Sequence, residues 1–273
     1  MLRLDLLHPE ISGNKWYKLK HNLTEARSQG KKTILTFGGA FSNHIAATAA
    51  ACNQQGFQSI GIIRGDSDAS SNHTLAQAQA LGMQLVFLSR IDYRDKTDPI
   101  FLEKLSQQFP EAYIVPEGGD NLLGEKGCGE ILNSATDAFT TIFCAYGTGT
   151  TFRGMATSLG AHQSLTGINV LKYEVLLDDE RLQVFNNYHF GGYARHKPEL
   201  LTFKTWFENH FAIPLDYVYT AKLCYAVFDL IKQGKIGSHE RVLMVHSGGL
   251  QGNAGYEARY NLNPSRQVND PQG

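Results

Sequence analysis

The sequence predicts an α/β fold in which helices cover parallel strands. Short apolar runs alternate with longer helix-like segments through most of the chain, as expected when each strand is followed by a crossover helix. The chain has 273 residues and an apolar content of 42%, so it can bury a large core. That length suggests about two domains of roughly 150 residues each, or one large α/β unit.

The predicted elements follow each other regularly. The strand segments are TILTF (33–37), QSIGIIR (58–64), MQLVFLS (83–89), AYIVP (112–116), TTIFCAY (140–146) and RVLMVHS (241–247). The helix segments are 44–56, 71–82 with Ser71 or Asn72 as its N-cap, 99–110, 152–162, 200–211 and 221–234. A further apolar run, YEVLL, occupies 173–177. The polar tail 263–273 is predicted to fray.

Composition and charge exclude several classes of protein. The formal net charge is −1, so no nucleic-acid partner is expected. The first residues lack the apolar core of a signal peptide, and no apolar run approaches the roughly 18 residues of a membrane span, so a cytoplasmic protein is predicted. The cysteines lack metal-ligand spacing, which predicts reduced thiols and no metal site. They are Cys52, Cys128, Cys144 and Cys224.

Four segments rich in glycine and small polar residues follow predicted strands. They are FGGAFSNH (37–44), PEGGDNLLGEKG (116–127), YGTGTTF (146–152) and VHSGGLQGN (245–253). Turns after parallel strands lie at the carboxyl edge of the sheet, where ligands bind in open α/β sheets. These turns are therefore candidates for lining a ligand site.

The best anion cradle among them is GTGTT (147–151). Gly147 and Gly149 let the backbone point N–H groups inward, the threonine hydroxyls add donors, and the positive end of the following helix favours an anion. The third glycine of a dinucleotide fingerprint would fall on Phe152, and no Gly-Lys-Ser/Thr of a Walker A loop follows. Ordinary strand-to-helix turns use the same residue types, so this motif alone leaves both interpretations open.

The segment GNKWYKLK (13–20) contains three lysines. A lysine becomes reactive when burial removes water from it or when it binds a carbonyl group. Nothing in the spacing requires either, and most lysines are exposed. From the pattern alone we expect the exposed start of a helix, with Asn14 near its N-cap and with Lys18 and Lys20 facing solvent.

Six motifs nevertheless occur in an order that resembles one family. GNKxxKL, SNH after two glycines, PEGGxNxxG, GTGTT, DYVYTAK (216–222) and HSGG (246–249) follow each other from about residue 5 to residue 255. Together they are similar to the fold type II pyridoxal-phosphate enzymes, specifically the D-cysteine desulfhydrase/1-aminocyclopropane-1-carboxylate (ACC) deaminase group.

The resemblance implies an architecture and a cofactor. Two three-layer α/β domains would hold pyridoxal 5'-phosphate in the cleft between them. The large domain would comprise 1–18 plus 133–273, and the small domain 19–132. Closure of the small domain would exclude water from the cleft. Members of the family are homodimers, so a homodimer is expected.

The resemblance also assigns roles to individual residues. Lys15 would carry the cofactor as a Schiff base and later move the α-proton. Asn43 would bond the phenolic oxygen of the cofactor, with His44 beside the ring. Ser42, Tyr219 and Tyr193 would face the reacting substrate. The remaining implied contacts are Gly147, Thr148, Gly149, Thr150 and Thr151 for the phosphate, and Thr220 and Ser247 for the pyridine nitrogen.

Two positions bear on the substrate. Family members that open the cyclopropane ring carry glutamate where this chain has Thr220 and glutamine where it has His44. A hydroxyl facing the pyridine nitrogen cannot hold a proton there as a carboxylate would, which favours early loss of a leaving group. The resemblance therefore implies α,β-elimination of a small D-amino acid, most simply D-cysteine to pyruvate, ammonia and sulfide.

Several alternatives stay open. One is ACC deaminase, which opens the ring to 2-oxobutanoate and ammonia; a racemase or a D-serine dehydratase is possible on the same scaffold. Another is a truncated, non-catalytic relative that binds the cofactor. Tyr17 replaces a usual arginine, Cys128 replaces a usual aromatic residue, and relatives carry a few tens of residues before the segment that begins here with RLD (3–5).

Overall fold

A computed structural model describes residues 1–65 and 72–262 of the chain. Its strands are β1 (Leu2–Arg3), β2 (Thr33–Gly39), β3 (Gln58–Arg64), β4 (Met83–Leu88), β5 (Ala112–Val115), β6 (Thr141–Tyr146), β7 (Ser164–Asn169), β8 (Leu182–Phe185) and β9 (Val242–His246). Its α-helices are α1 (Asn14–Ser28), α2 (Asn43–Gln55), α3 (His73–Ala80), α4 (Pro99–Gln108), α5 (Leu122–Cys128), α6 (Thr150–Ala156), α7 (Pro198–Phe211), α8 (Thr220–Lys232) and α9 (Asn253–Tyr260). Short 3-10 helices include Asp92–Asp95 and Glu117–Gly119.

The strands form two sheets. The smaller sheet has the order β4-β3-β2-β5, and the larger has the order β1-β9-β6-β7-β8. Every pairing between neighbours is parallel. The α/β prediction is therefore confirmed. The predicted domain boundaries stay a prediction, although the smaller sheet falls within 19–132 and the larger within 1–18 and 133–273.

Helices cover both faces of the smaller sheet, which explains its continuous apolar strands. Ile34 packs with Leu19 and Leu23 of α1 on one face, whereas Leu35 and Phe37 pack on the other. Helix α2 fills the space between the sheet and its neighbouring helices, and every residue from 44 to 52 is buried. Small alanine side chains make that close packing possible.

The larger sheet is also covered on both faces. Leu200 and Phe207 of α7 pack with Leu223, Val227 and Leu230 of α8 in one cluster. Cys128 of α5 and Phe152 and Met155 of α6 belong to the cluster on the other face. All four cysteines are buried and unbridged. No α-helix in 1–65 and 72–262 combines the length and apolar character that crossing a membrane requires.

Most predicted elements are present, with differences at their ends. All six strand segments form strands, and helix α3 begins after Asn72, whose side chain accepts from the N–H of Leu75. The predicted helix 152–162 is wrong in its extent, because α6 ends at Ala156 and turns follow it. The apolar run 173–177 is irregular rather than a strand. The tail 263–273 lies outside the described residues.

Candidate active site

A cavity of about 830 Å³ lies where the carboxyl ends of the two sheets meet. All four glycine-rich turns singled out in the sequence contribute lining residues. The turns after β2 and β5 come from the smaller sheet, and those after β6 and β9 come from the larger. The volume is within the usual range for small-molecule sites. This arrangement makes the cavity the candidate active site.

Lys15 enters the cavity from the first turn of α1. Its Nζ donates to Oδ1 of Asn14 at 2.7 Å, and Nδ2 of Asn14 donates to Oγ1 of Thr151 at 2.8 Å. Burial, followed by the nearby charge of Lys18, lowers the pKa of Lys15 to about 7. A large part of this amine is therefore unprotonated and nucleophilic at neutral pH.

A close backbone contact fixes the start of α1. Gly13 has φ +68°, and a Cβ atom built on it would lie 2.0 Å from the carbonyl oxygen of Ser247. The N–H of Asn14 donates to the same oxygen at 3.1 Å. Only glycine fits this approach. The contact brings Lys15 beside the predicted cofactor residue Ser247, although their positions are far apart in sequence.

The sequence pattern predicted the wrong environment for Lys18. It lines the cavity and is only 5% exposed, so the expectation that it faces solvent is wrong. Burial lowers its pKa. Lys20 is exposed as expected, and its Nζ pairs with Glu130. Helix α5 packs against α1, and Gly119 just before α5 approaches the Lys18 side chain. The spacing of the lysines does not reveal these contacts.

The GTGTT turn follows β6 and opens α6. Gly147, Thr148, Gly149 and Thr151 line the cavity. Thr150 does not: its side chain is buried below the turn. Its Oγ1 donates to Oδ1 of Asp120 at 2.7 Å and lies 2.9 Å from Oγ1 of Thr148. Thr150 thus braces the turn, whereas the other four face the space where an anion would bind.

The SNH turn begins α2. Oγ of Ser42 accepts from the N–H groups of His44 and Ile45 at 3.2 and 3.3 Å, which leaves its own proton free to donate into the cavity. Oδ1 of Asn43 accepts a hydrogen bond from Nε2 of Gln251. That bond orients the amide and leaves the Nδ2 group of Asn43 as a donor at the cavity wall.

His44 is 2% exposed and lines the cavity. Its Nε2 lies 2.9 Å from Oγ1 of Thr36. Its Nδ1 has no hydrogen-bond partner among the described residues. Burial, followed by the charges of Lys15 and Lys18, holds the pKa of His44 well below its usual value. The side chain is therefore a neutral imidazole at physiological pH.

Asp216 lies just before α8 and accepts several hydrogen bonds from the start of that helix. It is 1% exposed, and it lines the cavity. Its carboxylate accepts from the N–H groups of Val218, Tyr219 and Thr220 at 2.7 to 2.9 Å and from Oγ1 of Thr220 at 2.8 Å. Thr220 itself does not line the cavity, which differs from the predicted contact with the pyridine nitrogen. The carboxylate is held by these four donors at the start of α8.

Two tyrosines that line the cavity contact each other. The rings of Tyr193 and Tyr219 are 6.3 Å apart in an edge-on arrangement. Burial, followed by the proximity of Tyr193 and Asp216, raises the pKa of Tyr219 well above its usual value, so its hydroxyl keeps its proton. Nζ of Lys222 donates to the carbonyls of His189 and Gly192 at 2.8 Å and holds the loop before Tyr193. Asp216 and Lys222 are the first and last residues of the DYVYTAK motif, but no role was predicted for either.

Comparisons with known proteins agree with this architecture. The family model for "Pyridoxal-phosphate dependent enzyme" matches residues 1–176. A putative ACC deaminase of Pyrococcus horikoshii is 27% identical, with 93% of this chain and 85% of that protein covered. A bifunctional D-cysteine desulfhydrase/ACC deaminase of Arabidopsis thaliana is 29% identical over 92% of this chain and 72% of its own length. A crystal structure of an ACC deaminase homologue superposes with a TM-score of 0.81 at 24% identity, covering 95% of this chain and 87% of that one.

Proposed function

Because the chain belongs to the family of pyridoxal-phosphate dependent enzymes, we propose that it catalyses α,β-elimination from a small D-amino acid, most simply D-cysteine. The relatives bear both activity names, D-cysteine desulfhydrase and ACC deaminase. The choice between them must therefore come from the chemistry of the site.

The residues of the cavity fit pyridoxal phosphate. Lys15 offers an amine whose pKa is about 7, ready to bind an aldehyde carbon covalently. Lys18 and the turn 147–151 offer a cation and inward N–H groups for a phosphate dianion. The Nδ2 donor of Asn43 suits a phenolic oxygen. The buried Nδ1 of His44 lacks a partner among the described residues, which a ligand donor would supply.

When bound, pyridoxal phosphate supplies an electron sink for bonds broken at the α-carbon of the substrate. The chain supplies the proton transfers. The Lys15 amine is suited to take the α-proton, because the charged form of this lysine is disfavoured in the cavity. Tyr219 keeps its proton and can donate it to a departing group. Ser42 can donate to the substrate carboxylate from the start of α2.

One observation carries the choice of elimination: the occupation of the Asp216 carboxylate by four donors. With threonine rather than glutamate at position 220, a pyridine nitrogen on this wall would meet the neutral hydroxyl of Ser247. A ring nitrogen that holds no proton is a weaker electron sink. This favours a reaction in which the leaving group departs early over one that needs a long-lived carbanion.

The products of two substrates test the proposal. We expect the purified protein, loaded with pyridoxal phosphate, to release pyruvate and sulfide from D-cysteine, and the Lys15→Ala variant to release neither. Release of 2-oxobutanoate from ACC without pyruvate from D-cysteine would support the ACC deaminase alternative. Failure with both substrates in a protein that binds the cofactor would contradict the elimination proposal.

A further inference from the structure

The cavity mouth beside the smaller sheet carries cationic side chains that the proposed elimination does not use. Arg64 ends β3, whereas Arg90, Arg94 and Lys96 follow β4, and all four line the cavity. They converge because β3 and β4 are parallel neighbours, with Arg64 paired to Leu88 at their carboxyl ends. We call these four cationic residues the basic rim.

Carboxylates of the described residues pair with only one member of the basic rim. Within 1–65 and 72–262, a single carboxylate lies at ion-pair distance from it: Oε2 of Glu117 is 3.4 Å from Nζ of Lys96. The whole chain has a formal net charge of −1, so composition alone does not explain four cations at one mouth. Charge of one sign in a cleft raises the local concentration of the opposite ion.

Tyr93 packs against two members of the basic rim. Its ring centroid lies 5.8 Å from the Arg64 guanidinium carbon and 5.2 Å from Nζ of Lys96. The residue is 2% exposed and lines the cavity. Burial, together with the charge of Glu117 and a side-chain hydrogen bond to it, raises the pKa of Tyr93, so the hydroxyl keeps its proton. The buried ring thereby holds Arg64 and Lys96 on one side of the cavity mouth.

The basic rim belongs to the smaller sheet and lies beside the turn that carries Ser42. Gly39 is paired with Arg64 across β2 and β3, and a Cβ built on Gly39 would lie 3.6 Å from Nη2 of Arg64. Ser42, which faces the cavity, is three residues further along the same turn. The phosphate turn 147–151 follows β6 of the other sheet. The two groups of anion-binding residues therefore come from different sheets, and the basic rim is the one beside Ser42.

We propose that Arg64, Arg94 and Lys96, grouped around the ring of Tyr93, form an oxyanion subsite for the β-substituent of the substrate. The inference rests on the proposed function and names its substrate class: amino acids whose β-substituent is a phosphate or similar oxyanion ester. The α-carboxylate binds near Ser42, and the second anion binds on the basic rim.

The reaction of such a substrate balances as an elimination. The α-proton moves to the Lys15 amine, and the bond from Cβ to the ester oxygen breaks, with its electron pair leaving on the phosphate. The 2-aminoacrylate that remains takes up one water and gives pyruvate and ammonia. The basic rim stabilises the charge that develops on the departing oxygen.

The test compares two ligands that cannot lose a β-substituent. D-2-amino-3-phosphonopropanoate carries a distal oxyanion, and D-alanine does not. We expect calorimetry on the protein loaded with pyridoxal phosphate to show at least about tenfold tighter binding of the phosphonate, because paired charges discriminate by that amount or more. Raising the salt concentration should weaken this preference, since Arg64 and Arg94 are exposed.

The double variant Arg64→Gln, Arg94→Gln should bind both ligands within about twofold of each other, and its affinity for D-alanine should not change. Arg27→Gln is the matched control, because Arg27 lies outside the cavity and donates to the carbonyl of Gln55. Equal binding of both ligands by the wild type, or a preference that survives the double substitution, overturns the subsite.

The same preparations separate this inference from the proposed function. Pyruvate released from D-cysteine, without a preference for the phosphonate, overturns the subsite and leaves the elimination intact. The absence of cofactor binding at Lys15 overturns the proposed function, and the substrate subsite with it.

Discussion

Nε2 of His44 lies 2.9 Å from Oγ1 of Thr36, and the same Oγ1 donates to the carbonyl of Val115 at 2.8 Å. Because the only proton of the Thr36 hydroxyl is used on Val115, its oxygen must accept from His44. The proton of the neutral imidazole is therefore on Nε2, and the buried Nδ1 is an acceptor. This relationship fixes the state of a residue that the sequence placed beside the cofactor ring.

We expect Thr36→Val to lower the free energy of unfolding by about 1–3 kcal/mol. The variant leaves Nε2 of His44 and the carbonyl of Val115 without their hydrogen bonds to the Thr36 hydroxyl. Urea denaturation measures the loss. Thr24→Val is the control: its Oγ1 bonds the carbonyl of Lys20 on an exposed surface, and its cost should stay within about 0.5 kcal/mol. Equal losses of unfolding free energy in the two variants would contradict the role of the buried hydrogen bonds that Thr36 makes with His44 and Val115.

The pKa of Lys15 predicts how cofactor capture depends on pH. The neutral amine is the reactive form, and a lowered pKa of about 7 makes it abundant at neutral pH. In the protein without cofactor, the rate of covalent capture should rise as the pH increases from about 6 to about 8 and then level off. Stopped-flow absorbance measures this rate. A rate that still rises at a pH near the ordinary value for lysine would show that the cavity does not lower this pKa.

Gly13 and Gly30 form a matched pair of substitution sites. Both have φ +68°, but a Cβ at Gly13 would lie 2.0 Å from the Ser247 carbonyl oxygen, whereas nothing lies within 4 Å at Gly30. Gly30→Ala should cost about 1–2 kcal/mol for its backbone conformation alone. Gly13→Ala should cost clearly more and should also weaken cofactor binding at Lys15. Similar unfolding free energies for the two variants would exclude the close approach.

Asp216→Ala should lower the free energy of unfolding by about 2–4 kcal/mol, because several buried donors lose a charged acceptor. Asp216→Asn should cost less, since one oxygen still accepts. Asp98 provides the comparison: it caps α4 through the N–H groups of Ile100 and Phe101 on the surface, and Asp98→Ala should cost about 1 kcal/mol. A cost for Asp216→Ala as small as that for Asp98→Ala would contradict the organising role of this carboxylate.

The strands most visible in the sequence are those buried on both faces. Most residues of β2 and β3 are buried because helices cover these strands on each side, and their isoleucine, leucine and phenylalanine residues stand out in the sequence. β7 (SLTGIN) was not predicted because polar residues and glycine interrupt its apolar residues, and β8 (LQVF) was not predicted because it is a short strand at the edge of the larger sheet. The run 173–177 has strand-like composition, but it pairs with no strand among residues 1–65 and 72–262.

Site residues that belong to recognisable motifs could be predicted from the sequence. Residues whose position in or out of the cavity depends on tertiary packing could not. The lysine, SNH and GTGTT motifs indicated residues that line one cavity. Lys18 looked exposed because its burial depends on α5, far away in sequence. Thr150 and Thr220 belong to matching motifs, yet their hydroxyls bond Asp120 and Asp216 instead of facing the cavity. Such differences arise from tertiary hydrogen bonds that no local pattern encodes.

The central claim, that Lys15 holds the cofactor, has a direct measurement. The protein is incubated with pyridoxal phosphate, reduced with borohydride and digested, and the modified peptide is identified by mass spectrometry. We expect the cofactor mass on Lys15 in the wild type and in Lys20→Ala, whose exposed lysine pairs with Glu130, and no modification of this segment in Lys15→Ala. Modification at Lys18 or Lys222 with Lys15 unlabelled would contradict the claim.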